Sequence, residues 1–369
     1  MIGTYLIVLH LYCPCLSLQA LSLRNETLNH KSELKLERPK RDAYSHALRL
    51  HPNGFVYMDI AIGTPPQDLR LEVDTSFGTS LIIAKAKSRG IVYVHYNATA
   101  SRTKTVSERV CTAIGTRELR GRKNMDVFWI GEYNFMEFNF QMIEQLSQRP
   151  RFLDYFSGKL GLAPASEVIP ESFAQSLVRL FPDDPVFTLW FRPDADGEYK
   201  GGIFSFGGVH EYRYHGNLLY VPLLPPYTFW IVQATKIALG QDIVCQQDCN
   251  IQFNTGVPYF YGPQDQIDQI HRLLLVDMDR MSSGAHLLNC RDADSYPLLI
   301  IELGGHQFKW RMDELWEMKR DGWTFICKSG MRFSTSLPGW VLGHKLMYTL
   351  FTVFDSKNSR IGMAKASRP

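Results

Sequence analysis

Two short segments 180 residues apart constrain this chain more than any other feature: Val73-Asp74-Thr75-Ser76 and Phe253-Asn254-Thr255-Gly256. Each follows an apolar stretch and reads as a strand running into a tight turn. Leu69, Leu71 and Val73 alternate with Arg70 and Glu72, the pattern of a half-buried strand that ends on Asp74. Each half of the chain also carries a later apolar–Gly step, Lys159-Leu160-Gly161-Leu162 and Val341-Leu342-Gly343. The repeat predicts two related lobes with a cleft between them, and it sets Asp74 opposite Asn254. A site that needs two facing carboxylates would find one carboxylate and one carboxamide.

The remaining pattern is mostly strand-like. Phe55–Ile62 is rich in β-branched and aromatic residues, and Gly63-Thr64-Pro65-Pro66-Gln67 reads as a turn because two prolines cannot continue a ladder. Further strands are expected at Ile203–Phe206, Leu218–Val221, Trp230–Leu239, Leu298–Leu303 and Phe351–Phe354. Helical spacing is confined to Pro170–Phe181 and Asp265–Val276, so the expected class is all-β with a few short helices. With 369 residues, 45% of them hydrophobic and 12% aromatic, the chain can build two lobes around a large core. A net charge of +3 without a basic stripe argues against a nucleic-acid partner. No metal, nucleotide or flavin motif is present, and no cofactor is expected.

Residues 1–20 contain an apolar run, Tyr5-Leu6-Ile7-Val8-Leu9, that continues to Leu18. It is short for a membrane span and is interrupted by His10 and Pro14, so it reads as a secretory signal peptide. Residues 21–41 are polar and end in the basic tract Arg38-Pro39-Lys40-Arg41, the pattern of a short propeptide with a processing site. The expected location is therefore secreted or in a lysosome-like endomembrane compartment, with no membrane span once the signal is removed.

Cysteine usage agrees with that location. Cys13 and Cys15 would leave with the signal, and Cys111, Cys245, Cys249, Cys290 and Cys327 would remain. An odd count allows two bridges and one thiol. Cys245 and Cys249 are close enough to clip a local loop, Cys290 and Cys327 pair by elimination, and Cys111 is left over as a quiet thiol. Metal chelation by the cysteines is the rival reading, without histidine spacing to support it. Asn25 and Asn97 each begin an Asn-X-Thr acceptor triplet for N-glycosylation.

Taken in order, these residues resemble the pepsin-like aspartic proteases, peptidase family A1, over 54–366. Tyr57 through Gln67 resembles the family's opening strand and Ile-Gly-Thr-Pro-Pro-Gln turn, and Asp74-Thr75-Ser76 stands at its first Asp-Thr-Gly. Cys245–Cys249, Asn254-Thr255-Gly256 and Gly262-Pro263 stand at the second, and Cys290 and Cys327 match the bridge of the C-terminal lobe. Trp340-Val341-Leu342-Gly343 and the closing segment 351–364 complete the match. The resemblance implies a monomeric bilobal all-β fold, with lobes at 54–210 and 211–366 and a central peptide-binding cleft. It also implies a mechanism in which two carboxylates share one proton, one drawing a proton from the attacking water while the other polarises the peptide carbonyl.

The departures from the family pattern gather around that cleft. Asn254 replaces the second aspartate, and a carboxamide cannot cycle a proton, a loss worth ~10²–10⁴ in rate. Ile114-Gly115-Thr116 resembles the flap tip with its tyrosine gone, and Arg117 stands where the family has a glycine. Phe77 and Val257 follow the two triplets where hydroxyl residues are usual, Ser157 stands for an aspartate, and His344 follows the second Leu-Gly. The small Ser76 should be tolerated, since the turn needs chiefly its N–H. Thr75 and Thr255 are expected to bond one another under the cleft, and Asn254 to donate an N–H to Asp74. The leading expectation is a family member that is inactive or strongly impaired and binds peptide or protein in its cleft. An active endopeptidase with an atypical site, and a secreted binding protein that does not use the cleft, are the alternatives.

Overall fold

The computed structural model describes residues 43–84, 94–166, 172–193, 199–276, 281–282, 285–288, 290–321, 324–337 and 339–368. The expected signal peptide, propeptide segment and Asn25 lie outside the described residues.

The chain folds as strands, with three α-helices among the described residues at Phe173–Leu180, Gln264–Leu273 and Met312–Leu315. The first falls within the expected segment 170–181, and the second overlaps the expected 265–276, beginning one residue earlier. Ser172 caps the first by accepting the Gln175 N–H at 3.1 Å, and Phe173, Ala174 and Leu177 form its buried face. The strands Val56–Ile62 and Gln67–Asp74 form the expected antiparallel hairpin, in register from Tyr57↔Glu72 to Ile62↔Gln67.

The repeat read from the sequence is a repeat of strand pairing. Gln67–Asp74 lies parallel to Gly158–Gly161, with Val73 opposite Leu160 and Asp74 opposite Gly161. In the second half Cys249–Asn254 lies parallel to Trp340–Gly343, with Phe253 opposite Leu342 and Asn254 opposite Gly343. The first pair belongs to a 13-stranded sheet and the second to an 8-stranded one, with a 4-stranded sheet beside them. The last two strands, Leu350–Asp355 and Arg360–Ala366, join the 13-stranded sheet, so the C-terminal end of the chain returns to the strands of the first half. Across the two halves the Trp230 indole N–H donates to the Leu162 carbonyl at 2.7 Å, and Phe187 stacks on Phe354 with ring centroids 4.6 Å apart.

Three expectations are settled here. Gln67–Asp74 is not half-buried along its length: its last four residues are all buried, and Glu72 is 1% exposed. It is an inner strand, flanked by Val56–Ile62 and Gly158–Gly161, so alternation in sequence did not become alternation in exposure. Cys245 and Cys249 form a disulfide, as do Cys290 and Cys327, which removes the metal reading of those cysteines. Cys111 is disulfide-bonded too, so the thiol expected to be left over is not free.

The two apolar–Gly steps have a steric reason. A Cβ on Gly161 would come within 2.6 Å of the Phe77 carbonyl oxygen, and one on Gly343 within 2.3 Å of the Tyr259 carbonyl oxygen. In each half the strand-end glycine lets the chain beyond the site turn pass close over it. Gly161→Ala should therefore lower stability by about 1–3 kcal/mol through overpacking, read as a fall in the denaturant midpoint with unchanged slope.

Candidate active site

Parallel pairing carries the Asp74 and Asn254 turns to the meeting plane of the two halves, where the two threonines lock them together. The Thr75 N–H donates to Thr255 Oγ1 at 3.0 Å, and the Thr255 N–H donates to Thr75 Oγ1 at 3.0 Å. Each hydroxyl in turn donates across the plane, Thr75 Oγ1 to the Phe253 carbonyl at 2.9 Å and Thr255 Oγ1 to the Val73 carbonyl at 2.7 Å. Both threonines are buried, so four satisfied bonds stand where unpaired polar groups would each cost about 1–3 kcal/mol.

Above this grip the two functional side chains differ. Asp74 Oδ1 accepts from the Ser76 N–H at 2.8 Å and from the Ser76 hydroxyl at 2.6 Å. Asn254 Oδ1 accepts the Gly256 N–H at 2.8 Å, the same turn bond in the second half. No hydrogen bond joins the Asn254 amide to Asp74 among the described residues, so the expected bridge between the turns is not made by Asn254. The backbone of Gly256 passes close beneath the carboxylate, and a Cβ there would come within 2.6 Å of Asp74 Oδ2. The second triplet therefore ends in glycine, whereas the first tolerates Ser76.

The remaining oxygen of Asp74 is taken by a residue that no sequence pattern singled out. Lys159 Nζ lies 2.5 Å from Asp74 Oδ2 and 3.2 Å from Glu72 Oε2. Lys159 and Glu72 are register partners on the two parallel strands. The ammonium also lies 5.6 Å from the Phe77 ring centroid and 5.0 Å from that of Phe152. All three charged side chains are buried. In the repeat, Gln252 and Val341 occupy the positions of Glu72 and Lys159, so the charged pair belongs to the first half alone.

The charge states follow from burial and contact. Burial would raise the Asp74 carboxyl, but the Lys159 ammonium and the two Ser76 donors overcome it and hold Asp74 below its usual range. Burial would strip Lys159 of its proton, but Asp74 and Glu72 together push it above its ordinary value. Glu72 is pushed up to about 7 by burial, with Lys159 opposing and Asp74 adding to the rise. Its contact with Lys159 lacks hydrogen-bond geometry, and Oε2 has no hydrogen-bond partner. Below about pH 7 the trio thus holds one ammonium, one carboxylate and one protonated carboxyl, a neutral set suited to a buried place.

The hairpin expected to form the flap carries no phenol at its tip. Thr105–Ile114 and Arg117–Ile130 pair with Ile114 opposite Arg117, and Gly115-Thr116 forms the exposed turn with Gly115 at φ +58°. Ile114 packs against the apolar group containing Leu81, Phe152 and Phe156, which Phe77 also joins. His344 is buried, its Nε2 3.0 Å from the Gly54 carbonyl, and burial pulls its imidazole down to about 4. It packs as a neutral ring.

Two strand-end turns gripped by crossed threonines, each backed by a parallel strand pair, fit the aspartic protease scaffold. The chain belongs to the eukaryotic aspartyl proteases, whose family model matches residues 56–366. It is 26% identical to pregnancy-associated glycoprotein 4 of Ovis aries over 87% of this chain and 84% of that protein. It is 26% identical to pepsin A-5 of Mus musculus, covering 91% and 88% of the two chains, and 23% identical to cathepsin D of the same species, covering 87% and 83%.

Two outcomes follow from the trio. Lys159→Met leaves two buried carboxylates without their cation, and should cost about 3–5 kcal/mol at neutral pH, measured by equilibrium unfolding. Glu72 carries the pH dependence. Because its folded value of about 7 lies above the ordinary 4.5, its contribution to stability is full below pH 4.5 and is lost as pH rises to about 7. Unfolding measured between pH 5 and 8 should show the native protein losing about 1–3 kcal/mol through this window, and Glu72→Gln should flatten that slope.

Proposed function

We propose that this chain is a secreted aspartyl protease homologue that does not hydrolyse peptides and instead holds a peptide or protein in its cleft. The observation that carries the reading is the Lys159 ammonium on Asp74 Oδ2, opposite a carboxamide at position 254. The family's reaction needs a carboxylate free to take a proton from water and a second carboxyl to protonate the substrate oxygen. Here one Asp74 oxygen is taken by two donors from Ser76 and the other by Lys159, which leaves the carboxylate a weak base with little room for water. Asn254 can neither give up nor return a proton. Ile114, Phe77 and Val257 supply none of the hydroxyl groups that would orient a substrate or the carboxyls.

The leader sequence, the disulfides and the Asn97 triplet support a secretory route. Asn97 is part-exposed at the start of the single turn Ala98–Ala100, and its Oδ1 accepts from the Thr99 N–H and hydroxyl at 3.2 and 2.7 Å. We assign it as the glycan acceptor. The lobes are assigned to 54–210 and 211–366, and the mature chain to a start at Asp42. An active endopeptidase with an atypical site would have to displace a buried ion pair before chemistry could begin.

The test is a peptide-library digest with the chain starting at Asp42, from pH 2 to 7. No cleavage is expected, and Asn254→Asp alone should not restore it, because Lys159 still holds Asp74. A statyl-type inhibitor, which must enter the cleft to bind, should associate weakly. Cleavage that disappears in Asp74→Ala would overturn the inactive reading, and no association of the inhibitor at all would favour a binding protein that does not use its cleft.

A further inference from the structure

We propose that Asp268, His271 and His286 form a binding site for a divalent transition-metal ion of the zinc class. Asp268 and His271 are three residues apart on the helix Gln264–Leu273 and so share a face. His286 comes from the strand Ala285–Leu288, in the 4-stranded sheet. One ligand atom from each of the three lies within 4.8 Å of the others. These elements take no part in the Asp74–Asn254 constellation.

The hydrogen bonds around His271 prepare it as a ligand. Ser329 Oγ donates to the Met331 carbonyl at 3.3 Å, which commits its proton. With its proton there, Ser329 Oγ can accept from His271 Nε2, 2.9 Å away, the tautomer that leaves the lone pair on Nδ1. His271 is 1% exposed, and its Nδ1 has no hydrogen-bond partner. Nδ1 of His286 is likewise buried and unpartnered. The two rings stand edge to face with centroids 4.4 Å apart. Two such orphans on neighbouring rings ask for an explanation, because buried polar atoms are nearly always paired, and a bound ion would satisfy both.

Two imidazoles and one carboxylate suit zinc and its neighbours, whereas magnesium and calcium favour oxygen. Zinc bonds of about 2.1 Å need ligand atoms roughly 3.4 Å apart in a tetrahedron, so the part-exposed Asp268 would swing in by about an ångström. A fourth position would remain for water or another small donor. The two histidines lie on different elements and show no motif spacing, which is why the sequence showed no metal site.

The test uses the full folded chain, stripped with a chelator and titrated with zinc chloride by calorimetry. One equivalent should bind, unaffected by excess magnesium or calcium, and cobalt(II) should give the visible absorption of a low-coordinate nitrogen–oxygen site. Asp268→Asn and His286→Gln, each checked for fold by circular dichroism, should weaken zinc binding by at least about tenfold and abolish the cobalt spectrum. Failure of the native chain to bind zinc would overturn the proposal, as would unchanged affinity in both variants.

Discussion

The crossed bonds of Thr75 and Thr255 are the interaction on which the rest of the site depends. They set the turns that carry Asp74 and Asn254 edge to edge, and they do so with hydroxyl and backbone groups that carry no charge and do no chemistry. The parallel pairing behind each turn and the strand-end glycine above it repeat in both halves. This framework is indifferent to what side chain stands at position 254. The scaffold therefore does not itself depend on a second carboxylate.

What stands in the site is governed by electrostatics. In the family's dyad two carboxylates are forced to share a proton because both cannot ionise at contact distance. Here that repulsion is absent, and the counter-charge to Asp74 is a fixed ammonium in place of a mobile proton. A proton can leave and return during a reaction cycle, whereas Lys159, buried against Phe77 and Phe152, cannot. The same cation keeps a second buried carboxyl, Glu72, within reach.

Much of this was legible in the sequence. The strand–turn segments, the Asp–Asn asymmetry and the threonine bonding all stand in local motifs, and the family resemblance is borne out over residues 56–366. The buried charges were not legible. Glu72 sits at an alternating position that reads as solvent-facing, and Lys159 opens a short apolar–Gly step that draws the eye to its glycine. Each looks ordinary alone, and their meeting depends on a parallel register between strands far apart in the chain. A lysine inside the short strand Gly158–Gly161, between glycine and Leu160, was the available signal. Cys111 was misjudged for a related reason: counting cysteines cannot reveal a partner.

The register that pairs Glu72 with Lys159 also constrains the order in which such a site can change. With Glu72 replaced by an apolar residue, Asp74 and Lys159 still form a neutral pair. With Lys159 replaced first, two carboxylates face each other in the core. With an aspartate at position 254 while the others remain, three carboxylates crowd one ammonium. Of these single changes, only the one at Glu72 leaves the buried charge balanced. Buried charge here gives substitutions a preferred order, whichever way they run.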